Sequence, residues 1–429
     1  MQKKLLYITT AYFIFLLCIL MIFGYTPTND GDGYIDLAKE CIENGQPYPC
    51  MASITGKPIL WNIGAVNFVI MSLLMFNSIV PLLVLYCLMK ALSAFFIAAV
   101  AKHIFNAKVA LYTLLIFVLY PNNWGQSTTL LSEIPSEFFM SLAFYLIIVK
   151  KSPWHSLAGG LLLAISNWFR PNILLMIVLL AAWIVIYKRE TLMRKIPIFL
   201  SSFFIIIALI GCDNYIRTGH FVFQSQTFWY NMVDQCYGTS SASPHFGSTF
   251  TSEGESRYIE DMDNKTCFEC NEIYKEQSIL WLKSHPLEYA AKILPRLFYI
   301  YYNDIDNIAA FKSDKSNAID NYVTIPYLSI FTKYKELTPL QWFAMLSMAI
   351  YYCIMLTAML AIIVHLKNRN FHHIAFPFIM SVIASIVFVV LVHAETRYKS
   401  TFMPFVMMLS ATFLQHISEH SNNTKPSSI

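Results

Sequence analysis

Ten stretches of mostly apolar residues, each about 14 to 25 residues long, recur along this 429-residue chain. They run over 5–24, 79–101, 108–121, 131–149, 155–169, 171–187, 196–212, 341–365, 374–392 and 401–417. Such a recurrence constrains the fold more than any single motif. A bilayer offers no water to backbone amides, so a segment crossing it must bond to itself as a helix. With 56% hydrophobic and only 13% charged residues, the expectation is an all-α polytopic membrane protein of about ten transmembrane helices. Several segments, 108–121 and 155–169 especially, fall short of the roughly 20 residues a straight crossing takes.

Basic residues set the orientation. Lys3 and Lys4 precede the first span and no small-residue cleavage site follows it, which reads as an uncleaved anchor with its N-terminus inside. The segment Pro58–Phe76 is apolar but interrupted by Asn62, Gly64 and Asn67. If it does not cross, the basic loops Lys102–Lys108, Lys150–His155, Lys188–Lys195 and Lys367–His373 all fall inside; if it crosses, all move outside. The positive-inside rule therefore makes it an interfacial or re-entrant helix and places both termini inside. The net charge of +4 is spent on topology and carries no signal for nucleic acid.

The organisation expected is a transmembrane module over 1–212 with a polar first outer loop (25–78), an outer region over 213–340, a second transmembrane module over 341–417 and a disordered tail over 418–429. Within the first loop, Tyr34, Leu37, Ala38, Cys41 and Ile42 recur at helical spacing opposite Lys39, Glu40 and Glu43, predicting an amphipathic surface helix that ends at Gly45. The outer region reads as polar loop from Thr239 to Cys267 and as helix from Glu272 to Tyr302. Six cysteines lie in or beside outer segments, and an oxidising compartment would allow disulfides such as Cys41–Cys50. Cys267-x-x-Cys270 is half of a zinc site, without the second half.

Polar residues gather at one set of span ends. Directly after the first span stands Asn29-Asp30-Gly31-Asp32-Gly33-Tyr34. Charge beside a bilayer is costly unless it meets water or performs a function. A carboxylate there suits a general base, and both Asp30 and Asp32 qualify. Asp32 immediately precedes the amphipathic helix and suits an N-cap, which favours Asp30 as the base. Glu133 and Glu137 open the fourth span; one suits a helix start, and Glu133 is placed to orient an acceptor or to hold a divalent cation beside Asp30. Arg170, in a tight turn between two spans, either snorkels to headgroups or grips a phosphate with its planar fork. His393, Glu395, Arg397, Tyr398 and Lys399 form the densest polar cluster between two outer span ends, and a lipid-linked phosphate suits Arg397 and Lys399. No phosphate-binding glycine loop, HExxH, Gly-x-Ser-x-Gly or paired CxxC occurs, so nucleotide hydrolysis and zinc proteolysis have no support.

Taken in order, these residues resemble the GT-C superfamily of membrane glycosyltransferases, and within it the family 39-like group of protein O-mannosyltransferases, lipid A aminoarabinose transferases and bacterial lipopolysaccharide glycosyltransferases. Asp30-x-x-x-Tyr34-x-x-x-Ala38 resembles the first-loop motif whose aspartate is that family's catalytic base. Lys57-Pro58-Ile59-Leu60-Trp61 is similar to a stretch that opens a surface helix. Ser132-Glu133-x-Pro135, Arg170-Pro171 and Glu395-x-Arg397-Tyr398 with Pro404 behind it resemble later elements. Trp281-x-x-x-His285-Pro286-x-x-Tyr289 is a weaker sixth likeness.

The resemblance implies a GT-C-like fold with surface helices in the first outer loop and a small outer domain. It implies transfer of a sugar from a polyprenyl-phosphate donor to a hydroxyl of a glycan, lipid or protein at the outer face of a bacterial cytoplasmic membrane. Asp30, Asp32 and Glu133 are then the catalytic candidates. Lys57, Arg170, His393, Glu395, Arg397, Tyr398 and Lys399 are the candidates for holding the lipid phosphate and the sugar. The reaction requires no cofactor, and a divalent cation beside Asp30 and Glu133 stays open as an alternative. A transporter or flippase of lipid-linked sugars, or an enzyme of the O-antigen ligase or polymerase type, is the competing expectation; the absence of an internal repeat weighs against transport.

Overall fold

A computed structural model describes residues 2–237, 257–315, 323, 334–392 and 394–423. Among them the regular secondary structure is helical, apart from one isolated bridge between Thr55 and Thr266. Four helices are long and apolar enough to cross a membrane: Gln2–Phe23, Val80–Ile104, Glu190–Thr218 and Pro339–Lys367. The other segments expected to cross form shorter or more polar helices, including Ala107–Leu119, Glu133–Phe144, Pro153–Phe169, Ile173–Ile186, Ala375–Leu391 and Met403–Asn423. Ile63–Phe76 has 14 residues, about 21 Å of helix, too short for a hydrocarbon core of about 30 Å.

The bundle is inverted in polarity. Large apolar side chains face outward on the long helices, with Met21 84%, Ile22 72% and Ile216 83% exposed. Lys90, by contrast, is sealed inside. Such a surface is matched to lipid and not to water. Inside, Val80–Ile104 packs against Gln2–Phe23, Ala107–Leu119 and Glu133–Phe144, while Met403–Asn423 packs against Pro339–Lys367 and Ala107–Leu119. The last helix thereby returns to the first half of the chain. Pro153–Phe169 lies against both Glu133–Phe144 and Ile196–Thr218, where Gly160 permits the approach: a Cβ there would stand 2.0 Å from the Phe199 carbonyl oxygen.

The loop helix over Asn29–Glu43 lies against Ile63–Phe76 and buries Tyr34, Leu37, Ala38 and Cys41, the face expected from its periodicity. It is capped by Asn44, and Gly45 follows at φ +64°. Further on, helices occupy Phe228–Tyr237, Cys267–Ser284 and Pro286–Tyr302; the helix expected from Glu272 is divided in two at His285 and begins earlier, at Cys267. Thr266 and Glu269 form a capping box that starts it there. Part of the loop expected over 239–267 lies outside the described residues. The last helix continues to Asn423, into the 418–429 segment expected to be disordered. Gln415 and Glu419, one turn apart, bond at 2.6 Å and extend it.

Candidate active site

The acidic knot is the first turn of the loop helix and not a loop. Thr28, in extended conformation, is the N-cap, its hydroxyl accepting from the Gly31 amide at 3.0 Å. This corrects the expectation that Asp32 caps the helix: a suitable hydroxyl lies four residues earlier and the helix begins on it. Asp30 and Asp32 both sit in the first turn, where the amides favour negative charge. Asp32 accepts from Tyr25 Oη at 2.8 Å. Gly31 has no room for a side chain, since a Cβ would stand 2.8 Å from both Thr28 Oγ1 and Tyr25 Oη.

Asp30 is aimed the other way. Its Oδ2 accepts from Arg397 Nη1 at 2.7 Å, and Arg397 Nε donates to Glu395 at 2.9 Å. A second ion pair lies beside the first, with Arg170 Nη1 on Glu133 Oε1. Ser132 accepts from Arg170 at 3.4 Å and from Asn62 at 3.1 Å, and Asn62 also donates to Tyr34 Oη at 2.8 Å. The Tyr398 ring lies within 5.4 Å of the Arg170 guanidinium carbon and 5.7 Å of that of Arg397. Residues of the first loop, the 133–144 helix, the turn at 170 and the 396–401 turn thus share one site.

The charge balance matters chemically. Three carboxylates, Asp30, Glu133 and Glu395, face two guanidiniums, so one negative charge is unmatched within the cluster. Burial pushes the Asp30 carboxyl above its ordinary range; Arg397 opposes that, while Glu133 and Glu395 add to it. Arg397 is held firmly protonated, because Asp30 and Glu395 outweigh the effect of its burial. A carboxylate with a raised pKa, tethered through one oxygen, is suited to accept a proton on the other.

Other expected site residues are placed differently. Lys399 is 1% exposed, paired with Asp304 at 2.9 Å and donating to the carbonyls of Asn303 and Thr396. With every proton engaged inside the protein, it locks the 396–401 turn onto the segment after Tyr302 and is not available to a phosphate. Lys57 pairs with Glu40 at 3.2 Å and has no contact with the Asp30 cluster. His393 lies outside the described residues. Asp30 and Glu133, the pair expected to flank a divalent cation, each hold a guanidinium through one oxygen. Among the described residues, no three His, Cys, Asp or Glu groups converge as a metal site. The Cys41 and Cys50 sulfurs stand 4.0 Å apart as thiols, both buried. Cys267 and Cys270 lie in one helical turn, also as buried thiols.

The residue reading missed a buried network behind the site. Lys90 donates to Glu137 at 2.9 Å and to Gln126 at 2.8 Å, with both charges sealed. These side chains share a cavity of about 20 Å³, room for about one water, with Glu133, Asp304 and Arg397. A lysine in the middle of a 25-residue helix, whose other basic residues Lys102 and His103 lie in its last turn, was the available signal, since an intramembrane charge calls for a partner.

No protein-family profile and no curated protein matches the sequence. The structure is similar to the crystal structure of the Archaeoglobus fulgidus oligosaccharyltransferase in the apo form, at a TM-score of 0.52 and 10% identity. The superposition covers 98% of this chain and 52% of that one, so the chain spans about half the length of its structural neighbour. The likeness is one of fold.

Proposed function

We propose that this chain is a membrane glycosyltransferase that moves a sugar from a polyprenyl-phosphate donor to an acceptor hydroxyl, with Asp30 as general base. The observation that carries the reading is the Asp30–Arg397 pair at 2.7 Å, set within a fold shared with an oligosaccharyltransferase. The family 39-like group is the proposed affiliation. The site faces outward from a bacterial cytoplasmic membrane on the charge argument above. The acceptor is a glycan, lipid or protein.

In this mechanism Asp30 Oδ1 takes the proton of the acceptor hydroxyl as its oxygen attacks the anomeric carbon. The new bond joins acceptor oxygen to sugar; the bond broken joins sugar to phosphate, and the electron pair leaves with the polyprenyl phosphate. One displacement inverts the anomeric centre and needs no enzyme nucleophile. Arg397 orients Asp30 and, with Arg170, faces the negative charge that grows on the departing oxygen, an electrostatic contribution that commonly dominates such steps. Glu133 holds Arg170 in register, and Tyr398 sets the spacing of the two guanidiniums.

The test is mass spectrometry of lipids from cells lacking the protein, rescued with wild type or with Asp30→Asn. The expected result is a polyprenyl-phosphate sugar that accumulates in the null and the mutant but not in the wild type. Identical lipid profiles in all three would remove the donor assignment. Restoration by Asp30→Asn would leave transport of the same lipid as the better reading.

A further inference from the structure

The helix over Pro286–Tyr302 is inside out. Its exposed face is an apolar ridge of Leu287, Ala290, Ala291, Leu294, Pro295 and Phe298, with Glu288 the one exposed charge beside it; Leu287 is 84% exposed, and Leu294 and Phe298 are each 73% exposed. Its inward side carries the cations Lys292 and Arg296. A helix on a water-facing domain would show the opposite pattern. This one fits a position in the plane of a membrane interface, with its apolar ridge among acyl chains.

Arg296 is the anomaly on the inward side. It is 1% exposed, and none of its three guanidinium nitrogens has a hydrogen-bond acceptor among the described residues. Its contact is the Tyr289 ring, 4.4 Å from the guanidinium carbon, while the Tyr289 hydroxyl donates to the Val390 carbonyl. No carboxylate is paired with it among the described residues. Stacking returns little of the cost of withdrawing a guanidinium from water without a counter-charge. Lys292, one turn earlier, adds a second positive charge on the same side; it donates to the Gln235 carbonyl and pairs at 3.3 Å with Glu288, whose own side chain is 54% exposed.

The contrast with the active site is informative. Arg397, Arg170 and Lys399 each hold a carboxylate, whereas Arg296 holds none. We propose that Arg296, with Lys292, forms a binding site for the phosphate headgroup of a membrane lipid, on the side of the Pro286–Tyr302 helix where Lys292 meets the Gln235 carbonyl. A phosphate supplies the missing charge and two oxygens for the guanidinium fork, and the lipid chains run along the apolar ridge of the same helix. Tyr289 covers one face of the guanidinium, so the headgroup approaches along its edge. The same helix packs against the turn carrying Arg397 and against the Ala384–Leu391 segment, which sets the site beside the active site without making it part of it.

The test uses the full chain purified in a neutral maltoside detergent and titrated with phosphatidylglycerol, with polyprenyl phosphate, and with diacylglycerol as the phosphate-free control. Bound lipid is counted by native mass spectrometry and melting temperature is followed in parallel. Wild type should bind at least one of the two phosphate lipids and melt higher with it, and should ignore diacylglycerol. Arg296→Met should lose at least about tenfold in that affinity, the scale of one charge-assisted contact, while melting without lipid no lower than wild type. Lys292→Met should weaken binding less. If Arg296→Met fails to fold, Arg296→Lys serves instead, keeping the charge but losing the fork; weakened binding of both lipids is then expected. Preference for polyprenyl phosphate would assign the site to the lipid of the transfer reaction, and equal binding to resident phospholipid. Unchanged binding in Arg296→Met, or equal binding of diacylglycerol by wild type, would overturn the proposal. Asp30→Asn should retain this binding, which separates it from failure of the transferase reading.

Discussion

Asp30 and Arg397, separated by 367 positions in the chain, meet through a 2.7 Å hydrogen bond between carboxylate and guanidinium. One comes from the first turn of the Asn29–Glu43 helix and the other from the turn before the last helix. The contact closes the bundle on itself at the candidate site, and it commits Arg397 to holding a carboxylate before any ligand arrives.

Asp30→Asn keeps the volume and removes the proton acceptor. Sugar transfer should fall by about 10² to 10⁴, the usual contribution of a general base. The amount of protein in the membrane should stay near wild type. Single-turnover transfer in nanodiscs, with quantitative immunoblotting of the membrane fraction, measures both.

The pH profile should carry the Asp30 environment. The base must be deprotonated to act, so the rate falls as pH drops through its pKa. Because burial raises that pKa, the acid limb of kcat/KM should lie above the value of about 3.9 for a free aspartate. Arg397→Gln removes the group that opposes the rise, so the limb should move to still higher pH. A limb that stays in place would show that another group limits the rate.

Lys90 and Glu137 should behave as a sealed pair. Lys90→Met alone strands the Glu137 carboxylate and should cost about 3–5 kcal/mol. Lys90→Met with Glu137→Leu removes both charges and should recover most of that loss. Unfolding in a denaturant series in detergent, run as a double-mutant cycle, decides it.

The two glycines of the first turn should differ. Gly31→Ala drives a methyl against Thr28 Oγ1 and Tyr25 Oη and should disturb both the cap and the Tyr25–Asp32 bond, with a large loss of transfer. Gly33→Ala meets nothing nearer than the Trp61 ring at 3.6 Å and should leave activity intact, with a gain of about 0.5–1 kcal/mol from helix propensity. Parallel transfer and melting measurements on the two variants are sufficient.

Much of the site was legible as residue types. Asp30, Glu133, Arg170, Glu395, Arg397 and Tyr398 all stood out because charge beside an apolar run needs a reason, and the structure gathers these six. The helix over Asn29–Glu43 was legible too, through its spacing of Tyr34, Leu37, Ala38 and Cys41. Its cap was misread because Thr28 and Asp32 both carry capping oxygens, and local sequence does not say which one the chain engages. Lys399 was misread for a different reason: its partner Asp304 lies 95 positions away, beyond any local pattern. Lys90 was overlooked inside an apolar run, although its position there was itself the clue.

By itself the order of apolar and polar residues determined that this chain is helical, that its long helices are matched to lipid, and that acids and arginines stand near the ends of its apolar segments. Hydrophobic periodicity and the need to satisfy backbone amides act over a few residues, and so they can be read along the chain. Only the tertiary structure decided which charge answers which: Arg397 to Asp30, Arg170 to Glu133, Lys399 to Asp304, and Arg296 to no carboxylate among the described residues. Ion pairing inside a poorly polarisable bundle depends on separations of a few ångströms, and those separations exist only after distant helices have packed.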